Sequence, residues 1–270
     1  NELGKKDGGT MIFLKECKEN LKLLKRNLWP IVKFEAVYKL VTTMVLIPLF
    51  IALFRWTITS SGIGYLSADT AMQYLSSPVS IVLDIAMLFV LALVTLLDIF
   101  AVIDALHAAH FDQTVTMRQM LHTGFDQAKH VFNKNNWFLV VYTVLIIPLV
   151  GIVAASGVIS SIKIPGFILD YIYRSPVLNI LSILFLIVVF VLVMKWALSF
   201  HAFMFDSGDF KAARTESARL MKGHFVHTVI EIIFWEAILY LIVFALSFAV
   251  DAVAMLVIKL AVPPDGAYAA

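Results

Sequence analysis

An all-α, polytopic membrane protein is the fold class this sequence predicts, and three observations carry it. The 270 residues are 61% hydrophobic and only 15% charged, against about 45–50% apolar and about 25% charged in an ordinary globular chain. The mean hydropathy is +0.90, and the apolar residues gather into stretches of the roughly 20 helical residues that cross a bilayer core of about 30 Å. Finally, Lys and Arg crowd into alternate connecting segments. A soluble fold has nowhere to hide such an apolar excess, so it is expected to face lipid.

Asn1 to Thr10 is polar and rich in Gly and Lys and reads as a flexible leader or cloning scar. No short apolar run with a small-residue cleavage site opens the chain. The first organised element is an amphipathic helix over 14–28. Leu14, Cys17, Leu21, Leu24 and Leu28 fall at steps of 3, 4, 3 and 4, while Lys15, Lys18, Lys22 and Lys25 follow 3, 4 and 3 on an adjoining face. That pattern predicts an interfacial helix whose basic side meets anionic lipid headgroups. Trp29 and Pro30 mark the turn into the membrane. With a single cysteine, Cys17, the chain forms no internal disulfide and no thiolate cluster.

Five spans follow, at about 34–58, 79–106, 137–159, 177–204 and 228–260. Pro48 and Pro148 sit inside the first and third and predict kinks. Short outer helices are expected over Ala68–Ser76, capped by Ser67, and Gly166–Arg174 after Pro165. Segments 117–135 (Met120, Leu121, Phe125, Ala128, Phe132) and 211–225 repeat the amphipathic theme more weakly. Basic residues orient the set: segments 1–33, 105–136 and 204–227 hold eight, three and four. The other side has Lys163 and Arg174 alone. The positive-inside rule therefore places the N-terminus in the cytoplasm.

The sequence also echoes itself. Val45-Leu46-Ile47-Pro48-Leu49 resembles Leu145-Ile146-Ile147-Pro148-Leu149, and Tyr74-Leu75-Ser76-Ser77-Pro78-Val79 resembles Tyr171-Ile172-Tyr173-Arg174-Ser175-Pro176-Val177. His107 to Asp112 and His201 to Asp206 share H-A-x-x-F-D. Two helical-hairpin units in parallel orientation are expected, each with an amphipathic helix, a Pro-bearing span, an outer loop and a return span. A third opens near Asp206, and Trp235-Glu236-Ala237-Ile238 echoes Phe34-Glu35-Ala36-Val37. It lacks a return span, so a sixth helix is expected from a longer parent chain or from elsewhere.

Ionisable groups at membrane depth are costly, and each is a candidate for function. Asp84 and Asp98, fourteen residues apart, share a face of the second span: either they line a polar cavity or cation path, or Asp84 and Asp104 sit near the two interfaces and leave only Asp98 deep. Lys195 in the fourth span snorkels or pairs with an acid such as Asp98. Glu35 and Glu236 each lie just inside a span, where a helix dipole favours a carboxylate. His107, His110 and Asp112 are weak metal candidates. The repeated motif is more simply a helix exit with Asp capping the next segment, so no metal and no cofactor is expected. No nucleophile elbow, zinc-protease helix or phosphate loop is present, and no basic, aromatic-interleaved surface suggests nucleic acid.

Met11-Ile12-Phe13-Leu14-Lys15-Glu16-Cys17, Leu21 to Trp29, Phe34 to Leu40, Gly64-Tyr65-Leu66-Ser67 and Leu75-Ser76-Ser77-Pro78 together resemble a bacterial family. It is the N-terminal membrane domain that precedes glycerophosphodiester phosphodiesterase barrels. The resemblance implies a module of the bacterial cytoplasmic membrane followed by a soluble (β/α)₈ barrel. Such a barrel uses a metal, two His and acidic residues to release glycerol 3-phosphate and an alcohol. No His-Arg-Gly followed by His-Glu occurs in this chain, so no catalytic residue carries over. Three readings stand: a non-catalytic module that anchors the enzyme and presents lipid or glycerophosphodiester, a small-molecule or lipid transporter, and a membrane scaffold.

Overall fold

A computed structural model of the protein describes residues 3–153 and 172–261. Every regular element among them is helical. Helix α1 (Leu3–Val41) carries the amphipathic segment into the first span through a kink, and it begins at Leu3, within the expected leader. Its single departure from helical geometry is Asn27 (φ −108°, ψ 15°), so the bend expected at Trp29-Pro30 falls just earlier. Pro30 removes one N–H and crowds the carbonyl four residues back, which places that clash beside Asn27.

A π-turn (Thr42–Leu46) leads into α2 (Ile47–Ser60). Pro48 brings no N–H to this junction. The wider turn lets the Ile47 N–H reach the Thr42 carbonyl, taking up the mismatch that Pro imposes. Helix α3 (Ala68–Leu75) occupies the loop between α2 and the next long helix, opened by a reciprocal capping box between Ser67 and Thr70. Helix α4 (Pro78–His110) starts at Ser77-Pro78, and its 33 residues span about 50 Å at 1.5 Å each. That exceeds a bilayer core, so α4 projects beyond it.

Asp112 then turns the chain in the left-handed region (φ 61°). The cap of the next helix, α5 (Met117–Lys129), is Thr116 paired with Gln119, not the Asp112 expected from the motif. Two 3₁₀ turns (His130–Phe132 and Lys134–Asn136) precede α6 (Trp137–Val153). The outer helix expected at Gly166–Arg174 lies largely outside the described residues. Helix α7 (Pro176–Lys195), capped by Ser175, ends well before the expected 204. Turn residues 196–198, α8 (Ser199–Ala202), a second π-turn (Phe203–Ser207) and Gly208 (φ 59°) follow. Helix α9 (Phe210–Met221) and helix α10 (Phe225–Ala261) complete the order.

Among the described residues, four helical stretches are long and apolar enough to cross a membrane: Lys18–Ser60, Pro78–His110, Pro176–Lys195 and Phe225–Met255. Helix α6, at 17 residues, stands where the third span was expected and is shorter than these. Residues 154–159 of that span lie outside the described residues. The chain forms two compact units, 1–219 and 220–270. In the first, Leu96, Phe100, Leu139, Tyr142, Phe200, Phe203 and Phe210 build one core, while Ile31, Phe34, Ala101, Ala105 and Met120 build a smaller one. Large apolar side chains such as Ile85, Leu88, Ile180 and Phe185 point outward, as lipid-facing helices require. In the second unit α10 is likewise open around Tyr240, Leu241 and Phe244.

Helix α5 departs from the sequence expectation of an interfacial helix. It packs along α4 in the opposite direction, with Met120 beside Ala101 and Ala105 and Phe132 edge-on to Phe89 at 5.8 Å. Between them Gly124 touches the α4 backbone so closely that a Cβ would lie 2.6 Å from the Leu97 carbonyl oxygen. The apolar stripe thus splits: Met120 and Ala128 are buried, while Phe125 and Phe132 remain 56% and 69% exposed.

Candidate functional site

The predicted acidic residues of α4 fall into two separate polar clusters. At the outer end, the Tyr74 hydroxyl lies 2.9 and 2.8 Å from the two Asp84 oxygens and 2.9 Å from Thr57 Oγ1. Thr57 Oγ1 donates to the Phe54 carbonyl. Ser80 Oγ donates to the Thr57 carbonyl at 3.3 Å and is bonded to Ser61 Oγ, and Gln73 donates to the Ser61 carbonyl. Burial pushes the Tyr74 phenol up to about 12, and the bond to Asp84 adds to the rise. Asp84 therefore secures α3 and the outer loop against α4.

Asp98, fourteen residues along and about 21 Å further down the axis, faces α1. Its neighbours there are Glu35, Lys39 and Tyr38. Lys39 Nζ pairs with Glu35 Oε2 at 3.4 Å, and the Tyr38 hydroxyl donates to the Val94 carbonyl at 3.2 Å. Asp98 Oδ1 is buried without a hydrogen-bond partner. The cation beside Asp98 is thus Lys39, which the sequence reading overlooked, and Lys195 stays exposed at the end of α7. Glu35 lies deep within α1, far from its start at Leu3, so pairing with Lys39 replaces the expected helix-dipole role. Glu236 lies on α10, with its side chain outside the described residues, as is that of Lys15. Lys18, Lys22 and Lys25 are exposed.

Two asparagines that the sequence reading passed over organise the ends opposite the outer loop. Asn27 is fully buried. Its Nδ2 donates to the Ala105 and Gln113 carbonyls at 2.8 and 3.2 Å, and its Oδ1 accepts from Val115 N–H at 3.2 Å. Asn136, equally buried, donates to the His130 and Gly208 carbonyls at 2.9 and 3.1 Å and accepts from Phe210 N–H at 3.0 Å. Each amide thus clamps a carbonyl and the N–H two residues later, the carbonyl lying just after the left-handed Asp112 in one case and on the left-handed Gly208 itself in the other. Asparagine suits this because one side chain supplies two donors and an acceptor. Asn27 lies in the first part of the first long apolar stretch and Asn136 directly before α6, a signal available in Asn27-Leu28-Trp29 and Asn136-Trp137.

The two H-A-x-x-F-D motifs meet. The His107 ring stacks on Phe205 at 3.7 Å and lies 5.6 Å from His201, and His107 also contacts Phe111. Burial lowers the His201 pKa, the charge of His107 lowers it further, and Asp206 opposes both. Asp112, an expected metal candidate, forms an ion pair with Arg26, and His110 packs edge-on to Phe111. Among the described residues no three His, Cys, Asp or Glu side chains gather as a metal would need. Beside this cluster a cleft of about 370 Å³ is lined by Ala202, Asp206, Ala212, Ala213 and Glu216. The bond to Arg219 lowers the Glu216 pKa, which leaves that carboxylate already paired.

Aromatic rings gather at the end of α7. Trp196 meets Phe138 and Tyr142 edge-on at 5.9 and 5.7 Å, and the Tyr142 hydroxyl donates to the Val193 carbonyl at 3.1 Å. Arg214 of α9 inserts among them, its guanidinium carbon 4.4, 5.0 and 5.8 Å from the rings of Phe138, Trp196 and Phe210.

With this geometry in view, residues 17–265 match the family described as the membrane domain of glycerophosphoryl diester phosphodiesterase. No curated protein and no solved structure matches the chain.

Proposed function

The chain belongs to the family of glycerophosphoryl diester phosphodiesterase membrane domains, and from that premise we propose that it is the non-catalytic, membrane-embedded module of such an enzyme. It anchors a catalytic barrel at the bacterial cytoplasmic membrane and presents lipid or glycerophosphodiester to it. The match over residues 17–265 carries this reading, and the four apolar helices agree with a multi-pass anchor. In the same reading the N-terminus is cytoplasmic, and the exposed Lys18, Lys22 and Lys25 face anionic headgroups. Five spans are organised as parallel hairpin units. The twin amide clamps of Asn27 and Asn136 support that repeat.

In vesicles of phosphatidylethanolamine and phosphatidylglycerol, the chain alone is expected to retain added glycerophosphodiester without releasing glycerol 3-phosphate. Release at an enzymatic rate would show the module to be catalytic and overturn the reading. No retention would remove the presenting role.

A transporter is the second reading, favoured by one observation: the buried, unpartnered oxygen of Asp98 beside Glu35 and Lys39. Intramembrane carboxylates mark ion and substrate paths in such proteins. Flux of glycerophosphodiester or lipid exchange that is unchanged in Asp98→Asn and Lys195→Gln vesicles would remove it.

A further inference from the structure

Among the described residues Arg214 is a partly buried cation held among aromatic rings. Its Nε is buried with no hydrogen-bond partner. No carboxylate among the described residues pairs with it: Arg26, Lys39, Lys129 and Arg219 take the acidic partners. What surrounds it is aromatic, with Phe138, Trp196 and Phe210 all within 6 Å of the guanidinium carbon. A guanidinium stacked on aromatic faces keeps its N–H groups directed in its own plane, a rigid fork that matches two oxygens of one phosphate. The guanidinium is partly buried, so an anion that meets the fork there is held more strongly than at an exposed lysine.

The position fits a ligand drawn from the membrane surface. Trp196 directly follows the last residue of the apolar helix α7, where indole rings favour the headgroup layer. Lys195 is exposed at the same helix end. Its carbonyl accepts from Ser217 Oγ at 3.1 Å, which ties this end to α9 within one turn of Arg214. An exposed cation therefore stands next to Trp196 of the aromatic collar in sequence, with the partly buried Arg214 among the rings. The acidic cleft at Asp206 and Glu216 is lined by other positions of α9, so the collar does not share its carboxylates.

We propose that Arg214 in its collar of Phe138, Trp196 and Phe210 is a phosphodiester-binding site, taking the phosphate of an anionic lipid headgroup or of a soluble glycerophosphodiester. This rests on the presenting role proposed above and gives it a residue. Two arms separate the sources. Native mass spectrometry of protein released from phosphatidylcholine–phosphatidylglycerol nanodiscs counts retained phosphatidylglycerol, and calorimetry in detergent follows glycerophosphoglycerol. Arg214→Gln is expected to weaken binding at least about tenfold in one or both arms, the loss of a charge-assisted pair of bonds. Arg118→Gln, an exposed change of equal charge, is expected to leave both arms unaltered. A loss confined to the nanodisc arm identifies the headgroup, and a loss confined to calorimetry identifies the soluble diester. Arg214→Lys keeps the charge without the planar fork and is expected to bind more weakly than wild type. It decides the matter if the Gln variant fails to fold by circular dichroism. Wild-type affinity in Arg214→Gln, or in Arg214→Lys where it must stand in, overturns the site while leaving the presenting role intact. An equal loss in Arg118→Gln also overturns it, because bulk charge then explains the binding. Wild-type protein that binds neither probe overturns both.

Discussion

Asn27 and Asn136 show how much one uncharged side chain can organise at the edge of a membrane. Each is buried and satisfies three backbone groups, and groups so placed cost about 1–3 kcal/mol apiece when left unpaired. Asn27→Ala and Asn136→Ala are each expected to lower stability by at least the cost of one such group, about 1–3 kcal/mol, read as a shift in thermal unfolding in detergent. Asn27→Asp should cost at least as much, since a carboxylate cannot donate to the Ala105 and Gln113 carbonyls. These residues were hidden in the sequence because amides carry no charge to flag them at membrane depth. The His motif, by contrast, was visible as a repeat, though not the meeting of its two copies. His201 is held below the ordinary imidazole pKa by burial and then by His107, so the unfolded chain takes up the proton first. The stability conferred by neutral His201 is therefore complete above about pH 6.5 and is lost as pH falls through its lower folded value. Melting between pH 7.5 and 5 should drop less in His201→Phe, which keeps a ring against Phe205, than in wild type. An equal drop in both proteins would assign the acid sensitivity elsewhere.

Helices were largely legible, their partners much less so. Hydropathy located the long spans and apolar periodicity α5, and Ser67 caps α3 as expected. Amphipathy alone does not say whether an apolar stripe meets lipid or protein. For α5 the decisive residue is Gly124, whose missing side chain lets two backbones approach. A larger residue there must push α5 away from α4, and overpacking of this kind costs about 1–3 kcal/mol or more. Gly124→Leu is expected to loosen α5, seen as faster proteolysis within 117–129 and a lower melting temperature. Gly64→Ala, with open space at its Cβ, should leave both unchanged. The ends of the spans were misjudged for a related reason. Hydropathy continues past Lys195 through Trp196, Phe200 and Phe203, yet these aromatic residues turn into the protein core instead of prolonging the helix.

At the scale of the molecule, the basic residues of 1–33 and the polar outer loop around α3 lie at opposite ends of the first helical pair. In a Cys17→Ser background, Lys22→Cys is expected to react with an impermeant maleimide only from the cytoplasmic face, and Gly64→Cys only from outside. The reverse pattern would invert the proposed orientation. The Asn27 clamp carries a further consequence, for the order of events during synthesis. Its partners lie 78 to 88 residues downstream, whereas Asn136 finds its first partner only six residues back. At about 5–20 residues per second, Asn27 waits roughly 4–18 s for its partners to be made. Through that interval the start of the first span has nothing downstream to hold it, and α4 can enter the bilayer before the bend at Asn27 is locked. The amide is thus a latch that closes late, after both helices of its pair have been inserted.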